Sequence, residues 1–145
     1  MKRSMTPDGE AAGRLIYEVL RLHGRLIAAG DALMADLGLS SARWQVLGTV
    51  AAGGRPLTVS DLARILGQSR QSLQRLVNEM VGDDLLRFAA NPGHKRSPFV
   101  EPTEAGRRLH AEVEARRIPW TEGIASRMDG ADTLAAARAL ARLRA

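Results

Sequence analysis

The chain has 145 residues, 45% of them hydrophobic, and a net charge of +5. Its length accommodates one domain, or one compact fold with an added dimerisation element, and its apolar share suffices for a core. The absence of cysteine excludes disulfides, thiolate redox chemistry and cysteine-based zinc sites. A basic chain suits a nucleic acid or an anionic membrane surface, and nucleic acid is favoured because no segment has the pattern of a basic interfacial helix.

The first 38 residues are predicted to form a flexible arm, residues 1–8, and one long helix, from Gly9 to about Leu37. No signal-peptide core is present and no apolar run approaches about 20 residues, so we expect a soluble, cytoplasmic protein. The helix has an apolar stripe that a domain of this size cannot bury without a partner. It packs either on the C-terminal segment or on a second copy of the chain, and we favour both.

The next segment is predicted to contain a short helix and an edge strand. Either Ser40 or Ser41 caps a helix over residues 42–52. The pair Gly53-Gly54 then forms a turn, and residues 55–57 add a short edge strand, in which proline is tolerated.

Residues 57–86 have the pattern of a helix-turn-helix. Thr58 precedes an apolar run with Asp61 three residues later, which is a capping box with Asp in place of Glu. Gly67 suits a left-handed stop, and Ser69 begins the second helix as its N-cap. In that helix four apolar residues share one face, and the opposite face carries no acidic residue. The apolar set is Leu73, Leu76, Val77 and Met80, and the polar set is Arg70, Gln71, Gln74, Arg75 and Asn78.

This polar face is the predicted contact surface for double-stranded DNA. Its side chains are the types that hydrogen-bond base edges and phosphates, and the alternative is an ordinary solvated helix face. The assignments are Arg70, Gln71 and Gln74 to base edges, and Ser69, Ser72 and Arg75 to phosphates.

A β-hairpin that follows this helix predicts a wing. Residues 85–88 and 98–100 are its predicted strands, and Asn91-Pro92-Gly93 in the connection is a strong turn signal. Pro98 and Pro102 predict that both are edge strands. The residues near the tip are assigned to the DNA backbone or the minor groove, and the alternative is an ordinary polar tip. They are His94, Lys95 and Arg96, with Arg96 as the main groove residue.

The last segment is predicted to contain two helices. Thr103 caps the first, which Pro119 should kink near residues 115–116 and which Gly130 ends. A shorter helix then covers about residues 132–144.

The order and spacing of four stretches resemble the MarR family, the multiple antibiotic resistance regulators. The resemblance extends from about Gly9 to Arg144. The stretches are Ser41-Ala-Arg-Trp-Gln-Val-Leu, Leu57-Thr-Val-Ser-Asp-Leu-Ala, Ser69-Arg-Gln-Ser-Leu-Gln-Arg-Leu-Val, and Asn91-Pro-Gly-His-Lys-Arg followed by Pro102-Thr-Glu-Ala-Gly.

The resemblance implies a mainly α fold, a winged helix-turn-helix of about six helices with a small β-hairpin. It also implies a homodimeric, sequence-specific transcription regulator, most often a repressor, that binds a pseudo-palindromic operator. Residues 9–38 and 103–145 would then dimerise, and residues 39–102 would bind DNA. Many members of the family are released from DNA by a small aromatic or anionic effector.

Three positions depart from the family pattern. Asp84 stands where Gly is usual, although Asp tolerates the left-handed conformation better than most residues. His94 replaces the usual Asp two residues before the wing arginine, Arg96, so an acid that orients this arginine is missing. Pro102 replaces the usual Leu before Thr103 and is expected to stiffen the exit from the wing.

The candidates for an effector pocket are Tyr17, His23, Arg43 and Trp44, together with Trp120. The alternative assigns both tryptophans to packing, the histidine to an interface and the arginine to the surface.

An enzyme is not expected, and neither is a metal or a cofactor. His23, His94 and His110 lie on different predicted elements without metal-ligand spacing, and no Gly-rich phosphate loop follows a strand. Two other hypotheses are a winged-helix module that binds proteins instead of DNA, and a DNA-binding dimer without a ligand switch.

Overall fold

The computed structural model describes residues 4–144. Within that range the chain is mainly α-helical, as predicted, and divides into two compact units, one that ends at Ser41 and one that begins at Ala42. The elements are α1 (Pro7–Met34), a 3-10 helix (Ala35–Leu37), α2 (Ser41–Ala51), β1 (Leu57–Thr58), α3 (Val59–Leu66), α4 (Arg70–Gly82), β2 (Leu86–Ala89), β3 (Phe99–Pro102), α5 (Glu104–Ala125) and α6 (Gly130–Leu143). None of the helices in residues 4–144 is long and apolar enough to cross a membrane.

The first unit is built on α1, which begins two residues earlier than the sequence pattern predicted. Thr6 is its N-cap, whose hydroxyl accepts a hydrogen bond from the Gly9 amide at 3.1 Å, and Pro7 occupies the first turn. Residues 1–3 of the predicted arm lie outside the described residues. Large apolar side chains remain exposed along this helix: Ile16, Tyr17, Val19, Leu20, Leu22 and Leu26.

The helix-turn-helix of the second unit forms through local hydrogen bonds, as predicted. The Asp61 amide donates to the Thr58 hydroxyl at 3.2 Å, and the Thr58 amide donates to the Asp61 carboxylate at 3.0 Å, which completes the capping box. Gly67 ends α3 with a φ of 65°, and Ser69 caps α4 by accepting from the Ser72 amide at 3.1 Å. These caps define where α3 ends and where α4 begins.

The core of the second unit is aliphatic, since aromatic residues make up only 3% of the chain. Leu73, Val77 and Met80 on α4 are fully buried, whereas Leu76, predicted on the same face, is half-buried. Further buried residues come from every element around α4: Val46, Leu47, Leu62, Leu86, Val100 and Val113.

The three strands form an antiparallel sheet in the order β1-β3-β2. The prediction that both wing strands are edge strands is therefore wrong for β3, which is central. The central position tolerates its proline because β1 is only two residues long and pairs with Phe99 and Val100. Pro102 pairs with Leu86 alone, so its missing N–H removes no hydrogen bond to β1. The predicted edge strand near residue 57 is present as β1.

The boundary between α5 and α6 also differs from the prediction. Gly130 was predicted to end the first of these helices, but α5 ends at Ala125 and Gly130 is the first residue of α6. The reason is Asp129, whose carboxylate accepts from the Ala131 amide at 2.8 Å and acts as the N-cap. Pro119 lies inside α5, which continues through it as a helix, and the kink stays a prediction.

Candidate functional site

One face of α4 presents polar side chains to solvent. Arg70, Gln71, Ser72, Arg75 and Asn78 are exposed, and Gln74 is half-buried with its amide donating to Asn78 at 3.0 Å. The prediction that no acid lies on this face is wrong, because Glu79 pairs with Arg75 at 4.0 Å. The side-chain amide of Gln71 is exposed and makes no hydrogen bond to a described residue.

The first turn of α4 is held by two serines. The Ser69 hydroxyl accepts from the Ser72 amide and donates to the Ser72 hydroxyl at 2.9 Å. These two serines, which were predicted to contact phosphates, thus already stabilise the start of the helix.

The tip of the wing is the connection between β2 and β3, and short-range hydrogen bonds within this connection order it. The Asn91 side chain accepts from the Gly93 amide at 3.2 Å and donates to the Ser97 carbonyl at 2.8 Å. His94, Lys95 and Arg96 are exposed, and their side chains make no hydrogen bond or ion pair within residues 4–144. The wing therefore carries uncompensated positive charge.

A small cleft lies between α4 and the wing. It has a volume of about 20 Å³, and Arg70 and Arg96 both contribute to its lining. The structure thus brings together one cation from each of the two predicted DNA-contact segments. The other lining residues are Val59, Ser60, Gln74, Phe88, Ser97 and Pro98.

A larger groove of about 600 Å³ lies between α2 and α5, with one residue of α3 at its edge. Trp44 lines this groove, and its indole Nε1 is buried and donates to no described residue. On α5, the Arg117 guanidinium makes two 2.7 Å hydrogen bonds to Glu114, which hold the pKa of that carboxyl below its usual value. His110 Nε2 lies 3.9 Å from the same carboxylate. The remaining lining residues are Gln45, Gly48, Thr49, Ala52, Leu66 and Val113.

Of the residues predicted for an effector pocket, Trp44 lines this groove. Arg43, its neighbour on α2, instead forms an ion pair with Asp83. Tyr17 and His23 are exposed on α1, where the Arg21 guanidinium lies 6.0 Å from the tyrosine ring. Sequence analysis missed three groove residues on α5, although they recur with Val113 at the spacing of one helix face. They are His110, Glu114 and Arg117.

The two residues after α4 are held by a residue of α2 and by the N-cap of α5. On the α2 side, Arg43 pairs with Asp83, the C-cap of α4. On the α5 side, the Thr103 hydroxyl donates to the Asp84 carbonyl at 2.6 Å. Asp84 adopts a left-handed φ of 58°, so the expected turn survives without glycine. The end of α4 is thereby connected to both helices of the groove.

The approach of α5 to this turn is very close. A Cβ atom at Gly106 would lie 2.1 Å from the Leu85 carbonyl oxygen, so only glycine fits. The Thr103 amide also donates to that carbonyl at 3.1 Å.

Comparison with known proteins identifies the family. Residues 37–97 match the model described as the MarR family. An uncharacterized protein of Mycobacterium tuberculosis is 37% identical over 130 residues, which cover 90% of each chain. The transcriptional activatory protein BadR of Rhodopseudomonas palustris is 33% identical over 105 residues, 69% of this chain and 58% of BadR.

A solved structure has the same fold. CouR of Rhodococcus jostii, solved with bound p-coumaroyl-CoA, matches with a TM-score of 0.79 at 19% identity, over 88% of this chain and 90% of that one. The fold and the family are those of transcription regulators and not of enzymes. With its capped helix pair, three-stranded sheet and basic wing, the chain belongs to the MarR family of winged-helix, DNA-binding transcription regulators.

Proposed function

We propose that the chain binds a pseudo-palindromic DNA operator as a homodimer, with α4 of each protomer in the major groove. The observation that carries this proposal is the exposed polar face of α4 beside a wing whose cations have no partner among residues 4–144. Two copies of α4 would enter successive major grooves about 34–36 Å apart. The wings would contact the flanking backbone or minor groove.

Dimerisation is proposed to use residues 9–38 and 103–145, around a DNA-binding region of residues 39–102. Large apolar side chains stay exposed on both of these outer segments, and a second copy of the chain would bury them. In addition to those named on α1, they are Ile118, Met128, Leu134 and Leu143. A monomer in analytical ultracentrifugation at micromolar concentration would contradict this part of the proposal.

Within α4, Gln71 is the strongest candidate for base recognition. Its amide is exposed, whereas the amide of Gln74 is bonded to Asn78. A glutamine can hydrogen-bond the edge of adenine in the major groove, which discriminates bases by about 1–3 kcal/mol. Ser69, Ser72 and Arg75 are proposed to contact phosphates, as are His94, Lys95 and Arg96 of the wing.

The experiment is to select bound fragments from genomic DNA and to measure dissociation constants for the selected duplex and a random one. Affinity should fall steeply with salt, since each neutralised phosphate adds about −0.9 to the log–log slope. Arg96→Ala should weaken binding to both duplexes, and Gln71→Ala should change the preference between them. Arg127→Ala removes an exposed arginine outside α4 and the wing and is the matched control, provided that sedimentation shows the variant to be as dimeric as the wild type. Retention of no duplex at any salt concentration would instead favour a protein-binding module.

We also propose that the groove between α2 and α5 binds a small aromatic effector. Its volume lies within the range of about 300–1,000 Å³ that is usual for small-molecule sites. Trp44 is among the lining residues, and Arg117 is already paired with Glu114, so a neutral aromatic ring fits better than a bare anion. CouR, with its bound p-coumaroyl-CoA, supports an aromatic occupant for this fold. Roles for Tyr17, His23 and Arg43 in the site stay predictions.

Release from DNA would follow from the two connections at the end of α4. A ligand that separates α2 from α5 acts on Arg43–Asp83 and on Thr103–Asp84 at once, and so tilts α4. Benzamide and benzoate are suitable probes, because they differ in charge and share a ring. Either should raise the melting temperature and weaken operator binding, and Trp44→Leu should abolish both effects. If neither probe alters stability or affinity, a regulator controlled by its own concentration is favoured.

Repression is the proposed output, because a dimer seated on an operator blocks access to the DNA beneath it. A reporter gene placed behind the selected fragment should rise in expression when the protein is removed. A fall in expression would instead indicate activation, which is the activity named for BadR.

A further inference from the structure

We propose that Arg70 of α4 and Arg96 of the wing bind the same DNA phosphate, which places one of its oxygens in the cleft between α4 and the wing. This inference rests on the proposed DNA binding and specifies how the helix and the wing share the DNA backbone.

The size and lining of the cleft favour an anionic oxygen. A cavity of about 20 Å³ accommodates one oxygen-sized group and excludes an aromatic ring, since a single water requires roughly 10–15 Å³. The lining residues include two arginines, two serines and a glutamine, and none of them is acidic. Such a lining offers hydrogen-bond donors and positive charge to an entering oxygen.

Charge compensation separates these two arginines from many others in the chain. Arg43, Arg55, Arg64 and Arg87 each have a carboxylate partner. Arg70 and Arg96 have no ion pair with any residue of the described range 4–144, and they line the same cleft. Two like charges at one site repel each other. A shared phosphate offsets this repulsion with its negative charge and accepts a charge-assisted hydrogen bond from each arginine.

Local hydrogen bonds order each of the two segments that carry these arginines. Ser69 caps the start of α4, and the Asn91 hydrogen bonds order the tip that carries Arg96. A shared phosphate would therefore set the register of the dimer half on DNA, because phosphate contacts position a protein without specifying sequence. Arg70 then positions the protein, and base recognition shifts to Gln71.

The test uses the full-length dimer and the duplex selected from genomic DNA. Single phosphates are replaced in turn by neutral methylphosphonates, and dissociation constants are measured for the wild type, Arg70→Gln and Arg96→Gln. At one position per half-site, the wild type should lose affinity about tenfold, as expected for a lost charge-assisted contact. On the duplex with a methylphosphonate at that position, Arg70→Gln and Arg96→Gln should have the same dissociation constant as the wild type. Arg75→Gln is the matched control on the same helix, and it should weaken binding to the modified duplex as much as it weakens binding to the unmodified one.

The salt dependence provides a second readout. Since either arginine alone still neutralises the shared phosphate, each single variant should keep the wild-type slope. The double variant should lower the slope by about 0.9 per half-site. Separate phosphates would instead give an equal drop from each single variant.

The outcomes are distinct. If the two substitutions lose their effects at different phosphates, the shared site is wrong and DNA binding stands. If the wild type binds no duplex, both proposals fail. If inorganic phosphate at constant ionic strength displaces DNA from the wild type and not from Arg70→Gln, free phosphate and DNA compete for the same site, which supports the shared phosphate.

Discussion

The α4–wing surface and the α2–α5 groove differ in how their charges are compensated. At the surface, Arg70 and Arg96 have no ion pair within residues 4–144, whereas in the groove Arg117 makes two hydrogen bonds to Glu114. Uncompensated cations attract an external polyanion, and paired ones leave a nearly neutral pocket that selects by shape and hydrogen bonding. One small unit thus presents two sites of different chemistry.

The two sites meet at the residues that follow α4. Asp83 is held from α2 and Asp84 from α5, so the end of α4 is connected to both helices that line the groove. Four substitutions test how far the sites are separate and how far they are coupled.

The largest effect is expected from Gly106→Ala, which should damage both sites together. Its methyl group would overlap the Leu85 carbonyl oxygen and force α5 away from the turn after α4. Overpacking of this kind destabilises by about 3 kcal/mol. Urea unfolding measures the loss, and Gly123→Ala in the open part of the same helix should be neutral or stabilising. Equal stability of the two variants would contradict the close contact.

Asp61→Asn should weaken only the scaffold of the helix-turn-helix. It removes the carboxylate that completes the capping box and pairs with Arg55 and Arg64, at an expected loss of about 1–2 kcal/mol. The hydrogen bond from Arg55 is the main cause that holds the Asp61 pKa well below its usual value. The stabilisation is therefore complete above the unfolded-state pKa and is lost as the pH falls below it.

Measurement of unfolding free energy against pH checks this prediction. The wild type should lose more stability than Asp61→Asn between about pH 5 and pH 2. Parallel curves for the two proteins would show that the carboxylate does not stabilise the fold.

Asp84→Gly should stabilise the protein by about 1 kcal/mol, because it relieves a left-handed conformation that disfavours a side chain. The Thr103 hydrogen bond accepts at the backbone carbonyl and is retained. Operator affinity should stay unchanged if the turn at Asp84 only connects the α4–wing surface to the α2–α5 groove. A lower melting temperature would indicate that the aspartate side chain itself is needed.

The smallest effect is expected from Glu114→Gln, which uncouples the groove arginine from its carboxylate. Arg117 would then resemble the unpaired cations of the α4–wing surface, and benzoate should gain affinity over benzamide by about two- to fivefold. Isothermal titration of both probes measures the ratio. An unchanged ratio would place the carboxylate of benzoate away from Arg117.

Sequence patterns predicted the elements whose hydrogen bonds are local. The capping box of Thr58 and Asp61, the N-cap at Ser69 and the turn at Asn91 all join residues within a few positions, so the neighbouring residues specify them. The same patterns predicted the exposed face of α4. They failed at Gly130, since glycine is compatible with either the end or the start of a helix.

Tertiary packing decided what distant residues do. The central position of β3, the pairing of Arg43 with Asp83 forty positions away, and the meeting of Arg70 with Arg96 depend on how the elements pack. A side chain 40 positions away leaves no periodic signal in the sequence, because its partner is chosen by the path of the chain. The sequence by itself therefore determined which segments form the helix-turn-helix and the wing, and the tertiary structure decided which of their side chains lie together.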